Sequence, residues 1–249
     1  MPVRSISQVD IAPTIARILG LSLPCTDGEP IEVDCERCSN VILAIVDSLG
    51  YDLYLYLEPH LRFMPALASR GFLIRTRSVS NKTTPAIASI LSGLLPEHHQ
   101  IYDKAGAKDS SLLSLPEIAS CAGMRSAVIM EKQGAEVYTG LIEVVGGVPD
   151  HLSPEEFDDQ ICRKSLDALA LEPRLMVSYF IGLDKTAHMG LGMDALRAEA
   201  KHIDGCLKEV AEAAGPGTLI IICGDHPVHA GPFKRREGKS CVALIMGRA

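Results

Sequence analysis

The chain contains no tryptophan, and aromatic residues make up only 4% of its 249 positions. That poverty argues against stacking platforms for single-stranded nucleic acid. Positive charge is also scarce, with 24 Lys and Arg against 31 Asp and Glu and a formal net charge of −7. Binding to a phosphate backbone needs clustered cations, so no nucleic-acid partner is expected. The one basic cluster, Lys234–Arg235–Arg236, reads as a solvated loop. No segment approaches the roughly 20 consecutive apolar residues that cross a bilayer. The apolar stretch 11–23 is short and interrupted by Pro13 and Arg17, so it does not read as a secretory signal. The expectation is a soluble, cytoplasmic protein without a membrane partner.

Without a secretory signal, the eight cysteines are expected to be mostly reduced. Cys121, Cys162, Cys206, Cys223 and Cys241 lie in or beside apolar runs and read as small core residues. Cys35 and Cys38 form a C-x-x-C pair with only Cys25 nearby. A structural zinc site needs about four ligands, so the pair reads as incidental. No internal repeat or low-complexity stretch divides the chain. It is expected to form one domain over 1–249, and its 47% hydrophobic content suffices for a full core.

What the chain does have is a series of apolar strands alternating with helices. Val41–Val46, Leu175–Leu183, Thr218–Cys223 and Cys241–Met246 are continuous apolar runs, as strands covered on both faces are. Shorter strands are expected over Phe72–Ser78, Ser126–Met130 and Leu141–Val145. Helices are expected from Asp10 to Gly20, over about 52–70, from Leu115 to Ala122, from Ser153 to about Leu171, and over Met193–Ala214. In the first, Asp10 would be the N-cap and Ile11, Ile15, Ile18 and Leu19 the buried stripe. The fold class is α/β: three layers, a mostly parallel sheet with helices on both faces.

The runs that begin at Val41, Leu175 and Thr218 each deliver an acid, Asp47, Asp184 and Asp225. Ligands of open α/β sheets bind outside those strand ends. Two of the acids come with histidines, as Asp184-x-x-x-His188 and Asp225–His226, with His229 three residues on. Mixed carboxylate and imidazole donors suit zinc or manganese. Another strand leads into VSNKTTPAIASILSGLLPEHH (79–99), where a threonine before Pro85 opens an apolar helix. Thr84 would be its N-cap, leaving Thr83 with a free hydroxyl at an anion-friendly helix end. A nucleophile beside ligands for two metal ions fits phosphoryl transfer. Metal coordination would favour the alkoxide of an otherwise weak nucleophile. Asn81, Lys82 or Lys104 could add a donor to the phosphate.

VILAIVDSLGYD, NKTTPAIASILSGLLPEHHQI, YFIGLDKTAHMGLG and IIICGDH occur in this order. Together they resemble the alkaline phosphatase superfamily, most closely its phosphodiesterase and nucleotide pyrophosphatase branch. The resemblance implies Thr83 as nucleophile and a first metal held by Asp47, Thr83, Asp225 and His226. It implies a second metal held by Asp184, His188 and a further histidine. His229 is the candidate by elimination, because the family's usual position holds Gly238–Lys239–Ser240 here. Ser48 stands where relatives often carry glycine. VDIAPTIARILGLSLP and DGEPI resemble a segment that follows the last core strand in relatives, so residues 1–33 imply a circular permutant. The short interval from His188 to Asp225 leaves no room for a cap domain, and an open site is expected. The implied function is hydrolysis of a small phosphomonoester or phosphodiester with two divalent ions, zinc or else manganese. The alternative is a metal- or partner-binding member of the same superfamily without turnover. Sulfatases use a Cys or Ser converted to formylglycine, which Thr83 does not match.

Overall fold

The computed structural model describes residues 5–33, 38–235 and 240–249. Cys35 of the C-x-x-C pair, Arg236 of the basic cluster and Gly238–Lys239 lie outside them. The first elements are α1 (Ile11–Leu19), β1 (Asn40–Val46), α2 (Tyr51–Leu57), α3 (Phe63–Arg70), β2 (Phe72–Arg77) and α4 (Thr83–Ser92). There follow α5 (Pro96–His99), α6 (Lys104–Asp109), α7 (Leu115–Cys121), β3 (Ser126–Glu131), α8 (Lys132–Glu136) and β4 (Val144–Val148). The second half holds α9 (Pro154–Leu169), β5 (Leu175–Phe180), α10 (Gly182–His188), α11 (Gly192–Ala214), β6 (Thr218–Gly224) and β7 (Cys241–Arg248).

Seven strands form one sheet among the described residues, in the order β2-β7-β6-β1-β5-β3-β4. β7 pairs antiparallel with both β6 and β2, and the remaining pairings are parallel. Every residue of β5 and β6 is buried, as is all of β1 after Asn40. Strands without an alternating exposed face are covered on both sides, so helices lie on both faces of the sheet. β1 sits between β5 and β6, with Val46 opposite both Phe180 and Gly224. Three carboxyl-terminal strand ends thus stop level with one another. Gly224 is required there, because a Cβ would lie 2.1 Å from the Leu49 carbonyl oxygen.

Several local expectations are corrected. The helix over 52–70 is two helices, broken at Glu58–His60, where Pro59 removes a backbone donor. The second of them, α3, is capped from far away. Asp204 on α11 accepts from the amides of Arg62, Phe63 and Met64 at 2.8–2.9 Å. Asp10 does not cap α1 with its side chain; its carboxylate accepts from Ser7 N and Glu29 N instead. Ile18 is half-buried, whereas Ile11, Ile15 and Leu19 are in the core and Gly20 ends the helix at φ 69°. The strand expected at Leu141–Val145 lies at Val144–Val148. Cys121 is exposed and Cys241 half-exposed, while Cys162, Cys206 and Cys223 are buried free thiols. Cys38 is disulfide-bonded. Among the described residues, no helix is long and apolar enough to cross a membrane.

Candidate metal and active site

Asp47 and Asp225 each follow directly on the last residue of a central strand, β1 and β6. Both are buried, at 4% and 0% exposure. One Asp225 oxygen accepts from the backbone amides of Ser48 (3.0 Å) and His226 (2.7 Å). One Asp47 oxygen accepts from the buried Tyr179 hydroxyl. The other oxygen of each acid, Asp47 Oδ1 and Asp225 Oδ2, is buried without a hydrogen-bond partner. Such orphaned atoms are costly in a folded protein and call for an explanation.

Both orphans converge on one imidazole nitrogen. His226 Nε2 lies 3.4 Å from Asp47 Oδ1, 3.5 Å from Asp225 Oδ2 and 3.3 Å from Thr83 Oγ1. A tetrahedral ion with ligand bonds of about 2.0–2.1 Å has ligand–ligand edges of about 3.3–3.4 Å. The donor set therefore fits a divalent cation in both chemistry and spacing. His226 Nδ1 is 3.2 Å from the Pro227 carbonyl, a contact of the kind that orients a metal-binding imidazole with its other nitrogen toward the ion. Burial, then the charges of Asp225 and Asp184, push the Asp47 carboxyl far above its usual range. Burial raises Asp225 to about 7. Two acids held this way are short of a positive partner.

Asp184 is corrected from a strand end to the first turn of α10, because β5 stops at Phe180. The reason lies in α9. The buried Asp158 carboxylate accepts from Ile181 N and Gly182 N, both at 3.0 Å, and starts the helix there. A Cβ on Gly182 would meet Asp158 Oδ2 at 2.4 Å and Glu199 Oε1 at 2.3 Å, so any larger residue would displace those carboxyl groups. One turn of α10 then brings His188 Nε2 to 3.6 Å from Asp184 Oδ1. His229 Nε2 completes a second group at 3.1 Å from His188 Nε2. Burial and the neighbouring His226 hold the His229 imidazole below its usual pKa, which keeps a lone pair available. The two groups adjoin, for the His226 and His229 rings pack edge-on at 4.9 Å.

Thr83 is the first residue of α4, after an extended Lys82 N-cap. Thr84 is corrected from N-cap to the second helical position, and the helix start has no side-chain cap. The first amides of α4 are thus left for an anion. Asn81 and Lys82 are exposed and line no part of the cavity beside Thr83. Lys104 does line it, and pairs with Glu131 Oε1 at 3.1 Å and Asp150 Oδ2 at 3.7 Å. The cavity holds about 440 Å³, and Asp47, Thr83, Tyr179 and Asp184 are among the residues that line it. Ile87, Leu91, Met130, Val137 and Leu141 give it apolar walls. Residues between Ile101 and Asp150 wall one side of it.

Sequence reasoning missed Tyr179 and Gln8. The Gln8 amide donates to the carbonyls of Gly224 (2.8 Å) and Asp225 (2.6 Å) and accepts from Val79 N (3.0 Å). It ties the end of β6 to the approach to α4. Tyr179 could have been suspected as the lone hydroxyphenyl ring in the apolar run of β5. Gln8 carried no signal, because its partners are backbone atoms remote in sequence.

Residues 39–149 match the family model described as Sulfatase. Phosphonoacetate hydrolase from Sinorhizobium meliloti, solved with phosphonoacetate, superposes with a TM-score of 0.64 at 16% identity. That match covers 83% of this chain and 60% of the hydrolase, so the chain spans under two thirds of that relative's length. A protein in the alkaline phosphatase superfamily from Vibrio parahaemolyticus gives 0.60 at 11% identity, covering 97% and 68%. Murine ectonucleotide pyrophosphatase/phosphodiesterase 5 gives 0.56 at 17%, covering 76% and 57%. Comparison with curated proteins gives no match.

Proposed function

We propose that this chain, whose fold is that of the alkaline phosphatase superfamily, is a hydrolase of phosphoric esters acting through Thr83 and two divalent cations. The observation that carries the reading is the convergence of Thr83 Oγ1 and two orphaned carboxylate oxygens on His226 Nε2. Asp47, Asp225, His226 and Thr83 would hold one ion, and Asp184, His188 and His229 the other. Bound there, the ions would acidify the Thr83 hydroxyl and neutralise charge on the phosphoryl oxygens.

In this reading Thr83 Oγ1 attacks phosphorus in line, and the ester oxygen leaves on the opposite side. Water then cleaves the phosphothreonine, releasing phosphate or a phosphomonoester. The uncapped amides of α4 receive an equatorial oxygen of the transferring group. Tyr179 holds the Asp47 carboxylate in place, and the apolar cavity takes the organic part of the substrate. Phosphorus is preferred to sulfur because oxidation of a threonine side chain gives a ketone, not the aldehyde of formylglycine. The 1–33 segment is read as the permuted counterpart of the relatives' terminal one. Its support is the packing of that segment beneath α4, where Gly93 O accepts from Asp27 N and Thr26 Oγ1. Zinc and manganese remain the ions to try.

The test is hydrolysis of p-nitrophenyl phosphate, bis-p-nitrophenyl phosphate and p-nitrophenyl sulfate by chelated and metal-restored protein. Turnover of a phosphoric ester that returns with zinc or manganese and vanishes in Thr83→Ala is expected. Full activity in Thr83→Ala with loss in Thr84→Ala would reassign the nucleophile, and turnover of the sulfate alone would reject the substrate class.

A further inference from the structure

A second set of metal-binding side chains lies apart from the strand ends, between α9 and α11. Asp159 on α9 and His202 and Cys206 on α11 each bring a donor atom within 4.8 Å of the others. His202 and Cys206 are one helical turn apart and share a face. His202 Nε2 is 3.2 Å from Asp159 Oδ1 and 3.7 Å from Cys206 Sγ. Cys162 lies one turn beyond Asp159 on α9. Its thiol donates to the Cys206 carbonyl oxygen at 3.9 Å, just outside the group of three. Both cysteines are buried and free.

An ordinary ion pair accounts for only part of this. A single imidazole nitrogen faces both a carboxylate oxygen and a sulfur, and one proton on it can serve only one of them well. A cation in its place serves both. For a tetrahedral ion, the edge is about 3.3 Å between oxygen and nitrogen and about 3.6 Å between nitrogen and sulfur. The observed 3.2 and 3.7 Å are close to these values. Carboxyl groups surround the cluster: Glu199 faces His202, Glu209 faces Cys162 and Asp158 faces Cys206. Arg163 holds the other Asp159 oxygen at 3.2 Å and leaves Oδ1 to the cluster. The His202 and Asp159 side chains are 24% and 40% exposed, so an ion can reach them from solvent.

We propose that Asp159, Cys162, His202 and Cys206 form a site for a thiophilic divalent cation of the zinc class, clamping α9 to α11. Three donors, a carboxylate, an imidazole and a sulfur, already stand within 4.8 Å of one another, and the Cys162 sulfur closes the tetrahedral set as the ion draws it in. Binding displaces the protons of both thiols into solvent. The clamp adjoins Asp158, which fixes the start of α10.

The test is titration of the reduced, chelated full-length protein with cobalt(II) alone, read by absorption. A thiolate-to-cobalt charge-transfer band that saturates, and that zinc abolishes, is expected. The strand-end groups contain no sulfur and cannot produce this band, so the result is independent of any esterase activity. His202→Ala and Cys206→Ser should each remove the band. His202 is half-exposed, so its variant should keep the wild-type circular dichroism even if the buried cysteine variant does not fold. Cys162→Ser should weaken the band while retaining cobalt. Absence of the band in the wild type, or its persistence unchanged in His202→Ala, overturns the site. An unchanged band in Cys162→Ser removes Cys162 from the ligand set.

Discussion

Ser48 donates its hydroxyl to Asp184 Oδ1 at 2.7 Å, while its backbone amide donates to Asp225 Oδ1 at 3.0 Å. One residue thus joins the two acid–histidine groups. It does so at φ 63°, in the left-handed region that favours glycine.

That position gives a paired prediction. Ser48→Gly and Ser48→Ala both remove the hydroxyl, but only glycine relieves the left-handed backbone. The glycine variant should be more stable than the alanine variant by about 1–2 kcal/mol. Both should bind the second metal ion about 10–100-fold more weakly than wild type. Thermal melting of chelated protein and calorimetric metal titration check the two halves separately. Equal stability of the two variants would show that the backbone stores no strain.

Tyr179→Phe removes the hydrogen bond to Asp47 and keeps the ring. It should cost about 1–3 kcal/mol, since a carboxylate oxygen is then buried without a donor. Hydrolysis should fall about 10–100-fold, the usual effect of losing a group that orients a ligand. Restoration of wild-type rates by excess zinc would identify the loss as one of metal affinity. Unchanged melting and unchanged rates would leave Tyr179 with no positioning role.

In chelated protein the strand-end acids impose a pH dependence. Asp225 is raised from 3.8 to about 7, and Asp47 is raised as well. A carboxyl that holds its proton more tightly when folded stabilises the fold below the unfolded pKa. That contribution disappears as pH rises from about 4 to about 7. Zinc favours the deprotonated form, so the zinc-induced rise in melting temperature should grow across the same window. A rise that shrinks from pH 4 to 7 would contradict the burial of these two acids.

Leu141 lines the cavity yet is 51% exposed. Leu141→Ala should change stability by no more than about 0.5 kcal/mol. It should raise KM for aryl phosphate esters and leave kcat close to wild type, because the contact is to the organic group. A fall in kcat at unchanged KM would mean that the wall acts on the reacting centre.

What the sequence made legible follows from where the partners lie. Val41–Val46 and Thr218–Cys223 are apolar throughout because both sheet faces are covered, and Asp47 and Asp225 stand out at their ends. The two threonines before Pro85 marked the start of α4, but neither of them caps it, since Lys82 holds that position. The helix starts at α3 and α10 went unread because their caps are Asp204 and Asp158, side chains of other helices. Local patterns read local caps, so Ser153 with Glu156 on α9 was legible as a helix entry. The cavity wall was invisible for a similar reason. Ile87, Val137 and Leu141 face one another only after α4 and residues 101–152 have packed together.

The central place of β1 also bears on the order in which the protein is made. Its two neighbours, β5 and β6, both come from the second half of the chain. As the chain emerges during synthesis, β1 has no partner strand until Leu175 and beyond are available. Pairing across such a separation is slow, and the apolar strand stays open to aggregation in the interval. The span 39–149 that matches a family model contains β1 but neither neighbour, nor Asp184, Asp225 or His226. Expressed alone it would lack both neighbours of the central strand and most of the site. Asp47, Asp225 and His226 can therefore meet only after β6 has joined β1.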